Sequence, residues 1–288
     1  MKRTDDWESP AVAAIADDAG IRRYTHCPAC HGTALTVAFT SAAWRDFAAT
    51  TADTRRTVAA TLNADMDLGF DAFLRCDGCG TVFTDRVPPP TALSRFYQAY
   101  YGNAGYLSKR DRKVALETRR IFLLKFLIRG RRFLDVGCNM GCAVEAARRN
   151  GFTATGLELD ETSVAMAREQ FSRNEFIAGT IDGIPPQQRF DLLYCSEVIE
   201  HVPDVPRFAA KLGGLVAPGG MLFLTTPDSG HKKLRGDVLR WDVTRPPEHL
   251  TLFTRAGIRA ALAPYFARVL ILPNAKPGVQ AIAFKGKN

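Results

Sequence analysis

From Arg132 onward, short apolar runs alternate with segments whose apolar residues recur at helical spacing. The runs FLDV, FTATGLEL, FDLLYCS and MLFLTT read as strands. Between them, Cys142–Asn150, Glu161–Arg173 and Val205–Leu215 read as helices. A strand followed by a helix and another strand builds a parallel pair, since a parallel connection must cross over the sheet. The pattern therefore predicts an α/β fold, with a doubly wound, mostly parallel sheet and helices on both faces. The last two apolar runs, 266–272 and 279–284, are joined by a turn-rich segment too short for a helix. They are expected to pair as an antiparallel hairpin at the sheet's edge.

Upstream the pattern changes. Residues 1–23 read as a leader, and 24–90 as a small Thr/Ala-rich domain framed by two Cys-x-x-Cys pairs. Pro88, Pro89 and Pro90 make a stiff, extended break. Residues 91–130 read as a helical linker or lid with aromatics near its start, and 131–288 as the sheet domain.

The two pairs are Cys27-Pro-Ala-Cys30 and Cys76-Asp-Gly-Cys79. Two residues between thiols let both sulfurs converge on one ion, and four such ligands complete a closed tetrahedral zinc site. This reading makes the metal structural, because no coordination position stays open. A redox disulfide is the rival, but it needs only one pair. His26 and His31 read as neighbours of the thiols rather than ligands. The long intervening stretch is expected to carry a helix around Trp44–Leu62.

The segment Phe133–Gly141, FLDVGCNMG, runs from a strand into a helix. In open α/β sheets ligands bind beyond the carboxyl ends of the strands. Gly137 leaves room for a ligand above the loop, and Gly141 lets the helix begin close by. The spacing lacks the Gly-x-Gly-x-x-Gly of dinucleotide sites. The second strand ends in Glu158, where a carboxylate can accept from the hydroxyls of a ribose. Asp160, two positions on, suits a helix cap. The loop Gly179–Asp182 and the strand end Ser196–His201 complete the ring.

FLDVGCNMG, TGLELD, FDLLYCSEVIEHVPD and LVAPGGMLFLTTPD, in this order, resemble the successive motifs of class I S-adenosylmethionine-dependent methyltransferases, a Rossmann-like family. CPACHG and FLRCDGCGTVFTDRVPPPTALSRFYQAYY resemble the zinc-ribbon extension of a subset acting on small molecules and sugars, and RPPEHLTLFTRAGI resembles a segment before the last helix of such enzymes. The resemblance implies that Asp135, Gly137 and Gly141, with Cys138 packed beside them, cradle the methionine end of the cofactor. It implies that Glu158 holds the ribose and Leu159 lies against the adenine. Ile181 and Asp182 would lie near the adenine amine, and Ser196 near the sulfonium. Two positions depart from the family: Asn139 stands where glycine is common, and Thr180 where an aspartate often contacts adenine.

Methyl transfer from a sulfonium is an in-line displacement that needs alignment and exclusion of water, and a base only where the acceptor must lose a proton. His201 and His249 are the candidates for base or acceptor-positioning residue, against a role in anchoring their own loops. Tyr97 and Tyr101 are candidates for a lid over the cofactor, Tyr101 with a catalytic part, against plain core packing. The expected acceptor is a small metabolite or sugar-linked intermediate. RNA modification and a non-catalytic scaffold are the rivals, and a nicotinamide-dependent dehydrogenase is disfavoured by the glycine spacing.

Charge bears on that choice. Between Lys109 and Arg132 ten basic residues face only Asp111 and Glu117, so this segment carries the whole of the chain's net +8. It reads either as a solvated helix face, opposite Val114, Ile121, Leu124 and Ile128, or as an attractor of anionic substrate or RNA phosphates. No apolar run approaches the length that spans a bilayer. The acidic start and the seven cysteines fit a reducing, cytoplasmic setting.

Overall fold

The computed structural model describes residues 14–16, 22–51, 68–89, 91–93, 96 and 109–287. They gather into two compact units. The first comprises the described residues within Met1–Leu93 together with Glu200–Ala209 and Pro227–Ala261, and the second those within Ser94–Ile199, Ala210–Thr226 and Leu262–Asn288.

In the first unit, β1 (Ala14–Ala16) and β2 (Arg22–Tyr24) pair antiparallel. A four-stranded sheet follows, built from β3 (Leu35–Thr40), β4 (Ala72–Cys76), β5 (Val82–Thr84) and the two-residue β11 (Thr251–Leu252), in the order β11-β5-β4-β3. Its three pairings are all antiparallel. Helix α1 (Ser41–Ala49) is capped by Thr40, whose hydroxyl accepts from the Ala43 N–H. Its Trp44 is fully buried and donates its indole N–H to the Thr244 carbonyl at 3.1 Å, satisfying the one polar group of a large apolar ring. The helix expected around Trp44–Leu62 coincides with α1 only over Trp44–Ala49, since α1 ends before Thr50, and residues 52–67 lie outside the described residues.

The second unit holds the expected doubly wound sheet. Helix α2 (Arg110–Leu124) precedes β6 (Arg132–Val136), and then α3 (Cys142–Arg149), β7 (Thr153–Glu158), α4 (Glu161–Gln170), β8 (Glu175–Ala178) and β9 (Phe190–Ser196) alternate. Next come β10 (Val216–Pro227), β12 (Arg268–Leu272) and β13 (Gly278–Phe284), while α5 (Val205–Leu215) starts in the first unit's Glu200–Ala209 stretch and α6 (Arg255–Leu262) belongs, but for Leu262, to the first unit. The strand order is β12-β13-β10-β9-β6-β7-β8. Pairs among β6 to β10 are parallel, and β12 with β13 forms the antiparallel hairpin.

Central strands covered on both faces need continuous apolar runs rather than alternation. Phe133, Leu134 and Val136 of β6 and Leu192 to Cys195 of β9 meet that need, and all are buried. Beneath the sheet, α2 inserts Ile121 and Leu124 into a cluster with Phe133, Val144, Phe152, Val164 and Phe176. Asp160 caps α4 as its position suggested, with its carboxylate accepting from the Ser163 N–H at 2.9 Å. Among the described residues no helix is long and apolar enough to cross a membrane.

Candidate active site

The carboxyl ends of β6, β7, β8 and β9 bring the expected cofactor residues of the second unit together. After Val136 the chain takes left-handed conformations at Gly137 (φ +77°), Asn139 (+48°) and Gly141 (+76°). A side chain at Gly137 would come within 2.4 Å of the Val198 methyl, and one at Gly141 within 2.5 Å of the Phe176 ring. Both glycines are therefore demanded by backbone sign and by close packing. Asn139 is tolerated because a short polar residue visits this region at little cost. Its side-chain oxygen accepts from the Met140 N–H at 2.7 Å.

Glu158, at the end of β7, is braced by three backbone donors. Its Oε2 accepts from Asn139 N at 2.8 Å, and its Oε1 from Leu159 N at 2.7 Å and Asp160 N at 3.1 Å. The carboxylate is thus fixed across the loops after β6 and β7. Oε2 retains acceptor capacity, since an ionised carboxylate offers about four lone-pair sites. Leu159 stands 46% exposed beside it, available to a flat ring. Gly179 N donates to the Glu158 carbonyl at 2.9 Å and leads the chain into a turn with Ile181 buried and Asp182 exposed, 3.4 Å from Lys211.

Asp135 lies buried at the floor of this ring. Burial, helped by the nearby Glu117 and Glu158 and opposed by Lys113, pushes its carboxyl up to about 8. Burial also raises the Glu197 carboxyl, which accepts from the Thr225 hydroxyl at 2.9 Å. Ser196 and Thr225 share a hydroxyl contact of 2.8 Å. Clustered carboxyls that resist ionising together suit a cationic guest, which restores their charge. S-adenosylmethionine carries a sulfonium and an ammonium, so the residues present fit it. Cys138 is buried with its thiol raised by burial, consistent with packing and not nucleophilic attack.

Sequence reasoning missed Glu117. It sits in a strongly basic helix, yet it is buried and accepts from the Tyr194 hydroxyl at 2.6 Å and from Arg120 at 2.9 Å. Arg120 also reaches the Tyr194 oxygen. Helical spacing gave a signal, because Glu117 lies in register with Val114, Ile121 and Leu124 on the inward face. Arg120, counted among the phosphate-attracting residues, is therefore engaged within the fold.

His201 and His249 are brought together in the first unit, ring centroids 4.7 Å apart. The Nδ1 of His201 lies 2.6 Å from the Glu248 carbonyl, and that of His249 lies 2.5 Å from the Val243 carbonyl. Since a carbonyl only accepts, each Nδ1 carries the proton and each Nε2 keeps its lone pair. Burial first, then neighbouring groups including Arg245, lowers His201 to about 4 and His249 to about 3. Both are neutral at pH 7. The buried Glu200 places Oε1 3.9 Å from the His201 Nε2, and ligand atoms of Glu200, His201 and His249 lie within 4.8 Å of one another. Such a set can accept protons or hold a cation. The candidates Tyr97 and Tyr101 lie outside the described residues.

The four expected metal ligands also converge. One ligand atom each of Cys27, Cys30, Cys76 and Cys79 lies within 4.8 Å of the others, with sulfurs 3.6 Å apart for Cys27 and Cys79 and 3.5 Å for Cys30 and Cys76. These distances are far beyond a disulfide bond. The two turns are closed by Cys27 N to the Gly32 carbonyl and Cys76 N to the Thr81 carbonyl, both 2.9 Å. Gly32 leaves room where a side chain would meet the Cys76 sulfur at 3.2 Å. Four soft thiols in one pocket fit a zinc ion.

Comparison with known proteins agrees with this geometry. A family model described as "Methyltransferase domain" matches residues 106–265, more than half of the chain. The ubiquinone biosynthesis O-methyltransferase of Rhodopseudomonas palustris (strain BisB5) is 34% identical over 101 residues, 34% of this chain and 40% of that protein. The protein of the same name from Bordetella avium (strain 197N) is 36% identical over 105 residues, covering 34% and 44%. The chain thus spans less than half the length of these curated relatives. Among solved structures, the PH0226 protein of Pyrococcus horikoshii OT3 superposes with a TM-score of 0.52 at 15% identity, over 66% of this chain and 98% of that one. That likeness speaks to the fold. Strand order, glycine loop, strand-end acid and family match together show that the chain belongs to the methyltransferase-domain family, with the fold of the class I S-adenosylmethionine-dependent enzymes.

Proposed function

We propose that the protein binds S-adenosylmethionine and directs its methyl group to a small metabolite or sugar-linked biosynthetic intermediate. The observation that carries this reading is Glu158, braced by Asn139, Leu159 and Asp160 with acceptor capacity left on Oε2, above a floor of buried carboxyls. The names of the two curated relatives, both O-methyltransferases of a biosynthetic pathway, support the acceptor class.

When bound, the cofactor supplies an electrophilic methyl on a good leaving group. Asp135, Gly137 and Gly141 hold its methionine end, and Cys138 fills the space beneath the loop. Glu158 orients the ribose by accepting from a hydroxyl. Leu159, Ile181 and Asp182 bound the adenine, and the backbone at Ser196 lines the sulfonium end. His201 and His249, both neutral at pH 7, accept hydrogen bonds or a proton from the acceptor's hydroxyl. Tyr97 and Tyr101 are assigned to the lid that excludes water. The four cysteines hold a structural zinc in a ribbon-like extension. Seven free cysteines suit a reducing, cytoplasmic setting.

A thermal-shift titration with S-adenosylmethionine, S-adenosylhomocysteine and NAD in parallel tests this. A ligand at about 100 times its dissociation constant adds about 2.7 kcal/mol of stability. Stabilisation by the two adenosyl sulfur compounds and none by NAD is expected. A shift with NAD alone would refute the cofactor assignment.

A further inference from the structure

Helix α2 is apolar on two faces, and the fold uses one of them. Val114, Glu117, Ile121 and Leu124 point inward. On the outward side Leu116, Phe122 and Leu123 are exposed, and the single 3₁₀ turn Lys125–Leu127 adds Phe126 and Leu127. Leu123 and Phe126 are each 68% exposed, and Leu127 is 50% exposed. Of the seven large apolar side chains exposed among the described residues, these five fall within twelve positions. Scattered exposed apolar residues need no explanation, but a contiguous group of this size does.

The same face is cationic. Arg112, Leu116, Arg119 and Leu123 follow one another at i, i+4, i+7 and i+11, so basic and apolar side chains share one stripe. Lys125 lays its ammonium 4.5 Å from the Phe122 ring centre and 5.5 Å from that of Phe126. Arg129 and Arg131 stand exposed at the end of the patch. The two acids of the segment do not offset them there. Asp111 is paired with Arg110, and Glu117 is buried against Arg120 and Tyr194.

We infer that this face docks on an anionic lipid surface, with Phe122, Leu123, Phe126 and Leu127 entering the headgroup boundary and the surrounding cations meeting lipid phosphates. The chemistry is that of interfacial binding, in which apolar area and attraction to anionic lipid act together. A lysine alongside aromatic rings can bury its stem and keep its charge among the headgroups. A second copy of the chain is disfavoured, since joining two such faces would oppose like charges. RNA is disfavoured because Leu116, Leu123 and Leu127 give bases no ring to stack on, and the Phe122 and Phe126 rings pack edge-to-face on each other, 5.2 Å apart. The face lies outside the residues assigned to cofactor binding, so the inference is independent of the proposed activity.

The test uses the full chain with sedimented vesicles of phosphatidylcholine alone and of phosphatidylcholine with about 30% phosphatidylglycerol. At least about tenfold stronger partition to the anionic vesicles is expected. The double variant Leu123→Ser/Phe126→Ser, checked for an unchanged melting temperature, should lose about tenfold of it. Lys125→Glu/Arg129→Glu should abolish the preference for anionic lipid. Equal binding to both vesicles, binding to neither, or full binding by the serine variant would overturn the inference. So would a dimer in sedimentation velocity that the serine variant dissolves without vesicle binding, which would assign the face to a second copy. RNA retardation lost in the charge variant, without vesicle binding, would reassign it to nucleic acid.

Discussion

Replacing Glu158 by alanine removes one ligand acceptor and three internal ones, and the two losses differ in size. The internal partners are the N–H groups of Asn139, Leu159 and Asp160. Glu158 is only half-buried, so water can take over as acceptor there, and the cost to the fold should stay near about 1 kcal/mol. The bond to a ribose hydroxyl is charge-assisted and contributes about 1.5–3 kcal/mol. With about 1.4 kcal/mol per factor of ten, affinity for the cofactor should fall by about tenfold to a hundredfold. Titration calorimetry with S-adenosylhomocysteine, which cannot react, reads this directly. Glu158→Gln keeps an acceptor but loses the charge, and should fall between wild type and alanine. An alanine variant that melts normally and binds within about twofold of wild type would refute the ribose assignment.

Asp135 makes a second expectation, with its sign set by burial. Its folded carboxyl titrates near 8, far above the unfolded value, so the folded state holds an extra proton between about pH 4 and 8. Stability attributable to this group is therefore present at low pH and lost as pH rises to 8, and Asp135→Asn should flatten that slope in pH-dependent melts. A cationic guest favours the ionised form, so S-adenosylmethionine affinity should tighten from about pH 6 to 7.5, below the range where the ligand's own ammonium deprotonates, and stay level in the asparagine variant. His201 and His249 act the other way. Their folded values near 4 and 3 lie below the unfolded value, so their contribution is present above about pH 6.5 and lost as pH falls below it. His249→Gln should reduce the loss of melting temperature between pH 6.5 and 4, and an identical acid profile would count against a buried neutral pair. Cys76→Ser should lose bound zinc by elemental analysis and lower the melting temperature. Wild-type protein without zinc after expression in zinc-supplemented medium would remove the metal assignment.

The legible parts of the fold were those written in local periodicity. FLDV and FDLLYCS are apolar but for Asp135, Asp191 and Ser196, as strands buried within a covered sheet require, and the closing hairpin followed from a connection too short for a helix. The paired cysteines were legible because two short turns fix sulfur positions almost by themselves. What stayed hidden depends on contacts between distant residues of weak local character. Thr251 and Leu252 form a two-residue strand only because Val82 and Phe83 lie opposite them. The bracing of Glu158 by the Asn139 N–H arises from left-handed backbone at position 139, which no side-chain pattern declares. Glu117 was masked by its basic neighbours, whose charge suggested a solvated face when the spacing placed it inside.

The first unit is stitched from three stretches of chain, with β5 early and β11 more than 160 positions later. Its hydrogen bonds cross that gap repeatedly: Thr84 N to the Leu250 carbonyl, the Thr254 hydroxyl to the Cys79 carbonyl, Trp44 to Thr244. During synthesis, the thiol turns leave the ribosome long before the strand that completes their sheet. Val82 and Phe83 then wait with an unsatisfied edge until residues past 250 arrive. A shortened chain starting at residue 106, where the family match begins, would keep His249 and β11 but discard the sheet that holds them. The amino-terminal portion is in that sense a late-closing clasp on the methyltransferase sequence, and cutting it away would unravel residues far downstream of the cut.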